Sequence, residues 1–181
     1  MSPINRRTAL GTGLVSLASP SFAAAATSDP LAPALTFVTR LRIEIAPAIE
    51  QGRVDGKRKR FIPITGGTID GPRLKGKVLS GGGDWQAIHD DGLTEIYARY
   101  TLQAEDGTTI AITNPGVRVA SPEVVRRIAA GEDVPADQYY FRATPTFEVA
   151  DGPHGWLRRR VFVARGVRKP DHVLMDVYEV G

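Results

Sequence analysis

The stretch Thr94-Glu95-Ile96-Tyr97-Ala98-Arg99-Tyr100-Thr101-Leu102-Gln103-Ala104 alternates without a break. Ile96, Ala98, Tyr100 and Leu102 fall on one side, and Glu95, Tyr97, Arg99 and Thr101 on the other. A period of two is that of a half-buried strand. Glu105-Asp106-Gly107 then turns the chain, and residues 108–113 return as a hairpin partner. Further strands are predicted over residues 34–45, 60–65, 74–79, 139–149, 156–165 and 172–180, with a hairpin turn at His89-Asp90-Asp91-Gly92. In the first of these, Leu41, Ile43 and Ile45 alternate with Arg42 and Glu44.

One helix interrupts the pattern. Ser121 is its N-cap, Pro122 its first residue, and Glu123 suits the positive end of the helix dipole. Val124, Val125, Ile128 and Ala129 recur at helical spacing before Gly131, which predicts a helix over residues 122–130. Many strands and one short helix point to an all-β fold, an antiparallel sheet closed as a barrel.

Composition removes several classes of function. The 181 residues contain no cysteine, so a disulfide, a thiolate nucleophile and a cysteine metal site are excluded. His89, His154 and His172 are scattered, and no metal site is expected. No Gly-rich strand-to-helix phosphate motif occurs and no cofactor is predicted. The densest basic cluster, Lys57-Arg58-Lys59-Arg60, lacks interleaved aromatics. It reads as a solvated strand start or loop rather than a nucleic-acid surface. Arg158-Arg159-Arg160 reads as the charged face of a strand.

Residues 1–26 read as a signal peptide. Arg6-Arg7 precedes a mildly apolar run, and Ala23 to Ala26 offer small-residue cleavage sites. The run is too short to span a bilayer. The paired arginines resemble the twin-arginine class, with Ala9 where that pattern usually has phenylalanine. A general secretory signal is the alternative. Residues 27–33 form a linker, and residues 34–181 the barrel domain. Removing Arg6 and Arg7 leaves 21 of the 23 basic residues against 20 acidic ones. A periplasmic or secreted location follows, with no membrane insertion once the signal is removed.

Several stretches resemble a bacterial family, the domain of unknown function 3237. They include Arg60-Phe61-Ile62-Pro63-Ile64-Thr65-Gly66-Gly67, Gly82-Gly83-Asp84-Trp85-Gln86, Ala98-Arg99-Tyr100-Thr101-Leu102, Tyr139-Tyr140-Phe141-Arg142 and Asp176-Val177-Tyr178-Glu179-Val180. The resemblance implies a lipocalin-like (calycin-like) antiparallel β-barrel and no assigned activity. Two departures are the export signal and Arg158, which stands where a small polar residue is expected.

A barrel of this size holds one small ligand. Glu95, Tyr97 and Thr101 are expected outside. Arg99 and Arg142 are expected inside, where guanidinium groups clamp a carboxylate or enolate. Tyr140, Arg142, Thr144, Thr146 and Glu148 share one strand face, and Tyr140 is expected to contact the ligand beside the arginines. Glu148 and Asp84 are the candidate catalytic proton acceptors, with turn capping the alternative for Asp84. Trp85 and Trp156 are candidate stacking surfaces, with core packing as the alternative. The expectation is an exported barrel that binds a small acidic or aromatic molecule. The alternatives are a cofactor-independent enzyme for proton transfer, cyclisation or hydration in the same cavity, and a structural barrel with a packed interior. The sequence leaves homo-oligomerisation open.

Overall fold

The computed structural model describes residues 32–181, and Pro33–Gly181 form one compact unit. The signal-peptide reading of residues 1–26 lies outside the described residues, as does most of the linker.

The alternating stretches become staves of one closed antiparallel sheet. The strands are β1 (Leu35–Ile45), β2 (Ile49–Val54), β3 (Lys57–Asp70), β4 (Gly76–Val78), β5 (Gly83–Ile88) and β6 (Leu93–Ala104). They continue as β7 (Thr109–Val119), β8 (Tyr140–Ala143), β9 (Thr146–Val149), β10 (Phe162–Arg168) and β11 (His172–Val180). Going round the ring, β1 pairs with β3, and β3 with β4 and β5, which lie end to end. Both of these pair with β6, and β6 with β7. β8 and β9 lie end to end along β7, and β8 leads on to β10. Then β10 pairs with β11, and β11 returns to β1. Counting each end-to-end pair once gives eight staves. β2 forms an exposed hairpin with the start of β3.

The helix α1 (Pro122–Ala129) starts where predicted, with the Ser121 hydroxyl accepting from the Val124 N–H at 3.3 Å. Val124, Val125 and Ile128 are its buried side.

Three strand readings are corrected. Residues 156–165 are not one strand: Gly155–Arg159 form a 3-10 helical turn, so the Arg158-Arg159-Arg160 run is not a strand face. Residues 139–149 divide at Thr144-Pro145, where the Thr144 N–H turns to the Pro115 carbonyl at 2.9 Å. β7 continues six residues past Thr113, through Pro115 and Gly116, to Val119.

In β3, Arg60, Ile62 and Ile64 point inward, yet so does Ile69. The change of parity occurs at a bulge. Glu44 pairs with Gly66, but Ile45 pairs with Ile64, leaving one extra residue in β3. Beside it Gly67 has φ 141°, and a Cβ there would lie 1.9 Å from the Arg42 carbonyl oxygen.

The interior has two unlike halves. Leu102, Ile110, Ile112, Phe147, Phe162 and Val177 belong to an apolar cluster, with Leu157 of the 3-10 turn packed into it. The other half, reached by β5, the start of β6 and the ends of β7 and β10, sets buried polar side chains among apolar walls that continue that cluster.

Candidate functional site

Strand register assembles the polar half. Arg60 on β3 is opposite Gln86 on β5, and Asp84 on β5 is opposite Ala98 on β6. Ala98 is opposite Asn114 on β7, and Thr94 is opposite Arg118. Arg168 enters from the end of β10. These side chains point inward because they keep step with buried apolar neighbours. Arg60 alternates with Ile62 and Ile64, Arg118 with Ile110, Ile112 and Asn114, and Arg168 with Phe162 and Ala164. Asp84, Gln86, Tyr100, Asn114, Arg118 and Arg168 line a common space whose walls include Ile43, Ile45, Ile62, Ile96, Phe141 and Val173. Ile45, Arg168 and Val173 are only partly buried, so the space reaches solvent beside them. The void is about 30 Å³ as swept by the centre of a water molecule, room for roughly two waters.

The hydrogen bonds form a short relay. Arg60 donates from Nε and Nη2 to Gln86 Oε1 at 2.9 and 2.7 Å, and the Gln86 amide donates to Asp84 Oδ2. Asp84 Oδ1 is buried and has no hydrogen-bond partner among the described residues. Arg118 is 1% exposed, and none of its three guanidinium nitrogens has a protein partner among the described residues.

Burial dominates the electrostatics. It pulls the Arg118 guanidinium down to about 10, and the nearby positive charges of Arg60 and Arg168 add to the effect. Burial also lowers Arg60 and Arg168, with further lowering from Arg58 on the first and from Arg60 on the second. Asp84 is pushed above the ordinary carboxylate range by burial, against the Gln86 hydrogen bond and the charges of Arg118 and Arg60. Three arginines against one aspartate leave this end of the interior with an excess of positive charge. Among the described residues no group of three or more histidine, aspartate or glutamate side chains comes together to hold a metal ion.

Most of the side chains expected inside lie elsewhere. Arg99 is exposed between the buried Ala98 and Tyr100, so the interior clamp expected of it is absent. Arg142 is exposed between the buried Phe141 and Ala143, its guanidinium 4.8 Å from the outward ring of Tyr140. Tyr140 is 52% and Trp85 44% exposed, and Glu148 is exposed as well. Trp85 packs on Phe61 on the outer wall, with ring centres 4.9 Å apart. The reason is common to all of them: Asp84, Gln86, Ala98, Tyr100, Phe141 and Phe147 take the inward parity, and a strand without a bulge cannot offer both parities to one core. Trp156 is half-buried between Phe162 and the Arg73 guanidinium, packed against the apolar cluster rather than the polar cavity. Asp84 alone of the expected group lines the polar space.

The cluster Lys57-Arg58-Lys59-Arg60 is likewise divided. Lys57 pairs with Glu95 at 2.9 Å near the surface, whereas Arg60, 4% exposed, is an interior residue and not part of a solvated run. Reading missed Arg60, Arg118 and Arg168. The signal for Arg118 was its even spacing from Ile110 and Ile112 across Pro115.

An outward Arg142 gives a plain expectation. Arg142→Met should change unfolding stability by less than about 0.5 kcal/mol and leave anion binding unaltered. Denaturant melts and a carboxylate titration of the variant would check both.

The chain is similar to a UPF0311 protein of Clostridium acetobutylicum, 38% identical over 123 residues, covering 68% of this chain and 78% of that one. Its fold is similar to the crystal structure of a conserved protein of unknown function from Rhodopseudomonas palustris, with TM-score 0.78 and 32% identity over 82% of this chain and 98% of that one. A hydroalkoxylation enzyme of Penicillium herquei is 36% identical over 103 residues, covering 56% of this chain and 67% of the enzyme. A family model described as a protein of unknown function, DUF3237, matches residues 33–180, and the chain belongs to that family.

Proposed function

We propose that the polar half of the barrel binds the anionic end of a small organic molecule, whose body lies toward the mouth. The observation that carries this reading is Arg118, a fully buried guanidinium whose nitrogens have no partner among the described residues. A buried charge without a partner is costly, and a carboxylate or phenolate oxygen relieves that cost through charge-assisted hydrogen bonds. Asp84 offsets only part of the charge of the three arginines. The narrow void suits a group of carboxylate size, and the apolar wall at the mouth, with Ile45 and Val173, suits a hydrocarbon or aromatic body. The Penicillium relative is a hydroalkoxylation enzyme, which supports a small organic molecule as the occupant. The sequence of residues 1–26 supports export, and a native N-terminus near residues 24–28 is the expected result of Edman sequencing.

Titrating the full chain with benzoate and with neutral benzyl alcohol separates charge from shape. Benzoate is expected to give saturable heat in calorimetry and a higher melting temperature, and benzyl alcohol neither. Equal responses, or none to benzoate, would end the reading.

A further inference from the structure

We infer that Asp84 is a catalytic residue that moves a proton to and from the carbon beside a carbonyl group, and that the substrate class is a carboxylic acid with an enolisable ketone, such as a 2-oxo acid. The inference rests on the anion-binding reading above and adds chemistry to it.

The geometry supplies three parts. Among the described residues Asp84 is the one carboxyl group lining the space. Its Oδ2 is held by the Gln86 amide, and that amide is fixed by the two donors of Arg60. One oxygen is thus anchored while Oδ1 is buried with no partner among the described residues. Arg60 and Gln86 are positioning residues: they fix the carboxyl group through its other oxygen. Arg118 and Arg168, lining the same space, are the counter-charges. The deeper Arg118 takes the substrate carboxylate together with the ketone oxygen beside it, and Arg168, partly exposed near the mouth, adds its charge.

The step is balanced within the site. Ionised Asp84 removes a proton from the carbon beside the ketone. The C–H electron pair becomes a C=C bond, and the carbonyl π pair moves onto oxygen. That oxygen's new negative charge meets Arg118, a preorganised donor aimed at charge that develops during the reaction. The proton on Asp84 returns to carbon, or exchanges with solvent first. No oxidant, reductant or cofactor is consumed. Burial, which makes Asp84 a stronger base than an exposed carboxylate, supports the role. The Tyr100 phenol in the same wall holds its proton more firmly than usual, also because of burial, so it does not compete as the base.

The test is hydrogen–deuterium exchange at that carbon. Pyruvate and phenylpyruvate, the probes, are incubated in D2O with the full chain, and loss of the proton signal is followed by NMR. Binding is read separately by calorimetry. The wild type is expected to bind phenylpyruvate and speed exchange over buffer by about 10²–10⁴-fold. Asp84→Asn is expected to bind at least as tightly, since a negative charge is removed, but to exchange at the buffer rate. Gln86→Leu should keep binding and lose most of the acceleration. Arg118→Met should lose both. Binding without acceleration, or Asp84→Asn exchanging like the wild type, overturns the proton-transfer role while the anion-binding reading survives. No binding of either probe by the wild type overturns both.

Discussion

Arg118→Met is expected to abolish benzoate binding and yet raise the stability of the empty barrel by about 1–4 kcal/mol. The two effects share one cause. Burial pulls the Arg118 guanidinium of the folded state from its ordinary range down to about 10, which costs about 3 kcal/mol. The unfolded chain binds that proton more tightly, so this penalty is fully present below about pH 10 and is relieved only as pH rises above it. Experiments at neutral pH therefore see all of it. Methionine fills similar space without a charge. Arg60 and Arg168 remain to balance Asp84, so the substitution does not strand a buried carboxylate. Urea melts of the ligand-free variant and the wild type, beside benzoate calorimetry, would show it. A less stable variant that still binds benzoate would mean that Arg118 serves only the architecture.

Gly67→Ala should act in the opposite direction. Its φ of 141° is disfavoured for any residue with a Cβ, and that atom would sit 1.9 Å from the Arg42 carbonyl oxygen. Backbone strain and overpacking together suggest a loss of about 3–5 kcal/mol. In a chain of this size that lowers the melting temperature by roughly 10 °C. The damage is not confined to one contact. The adjoining bulge lets Ile64 and Ile69 of β3 both point inward, so straightening the strand would turn one end of it inside out. Benzoate affinity should fall with it, because Arg60 lies on the same strand. A thermal melt within 2–3 °C of the wild type, a shift of only about 1 kcal/mol, would refute the strain argument.

The walls of the barrel were legible in the sequence, but its contents were not. Ile96, Ala98, Tyr100 and Leu102 announced their strand because they alternate over a long stretch. The same alternation puts Arg99 outward, against the interior position expected of it: a residue between two buried neighbours has no other side to take. Arg142 follows by the same logic from Phe141 and Phe147, yet its family-like setting drew attention to the residue itself rather than to its neighbours. Arg118 was hidden for a different reason. Pro115-Gly116 has the look of a turn, and β7 passes through it because the Pro115 carbonyl still accepts a hydrogen bond, from Thr144. Arg60 lay at the end of a run of four basic residues, where charge suggested water. Its alternation with Ile62 and Ile64 carried the correct information. Asp84 was legible as a carboxylate within a family-like stretch, although the glycines before it equally suited a turn cap, and its partners Gln86 and Arg60 come from the pairing of β3 with β5 rather than from local sequence.

The closing seam of the ring lies between β1 and β11, where Leu35 meets Val180 and the Gly181 N–H reaches the Ala34 carbonyl at 2.8 Å. No hairpin can nucleate that pairing, since almost the whole domain separates its two edges. Loop-closure entropy makes such a contact slow to form, on the millisecond-to-second scale typical of barrels rich in distant pairings. On a ribosome, the seam must wait until β11 has emerged from the exit tunnel. Until then β1 offers an unpaired edge, and the arginines of the polar half keep their water. Sealing the seam and stripping that water thus fall late in folding, when a chaperone or a bound anion has the most influence on the outcome.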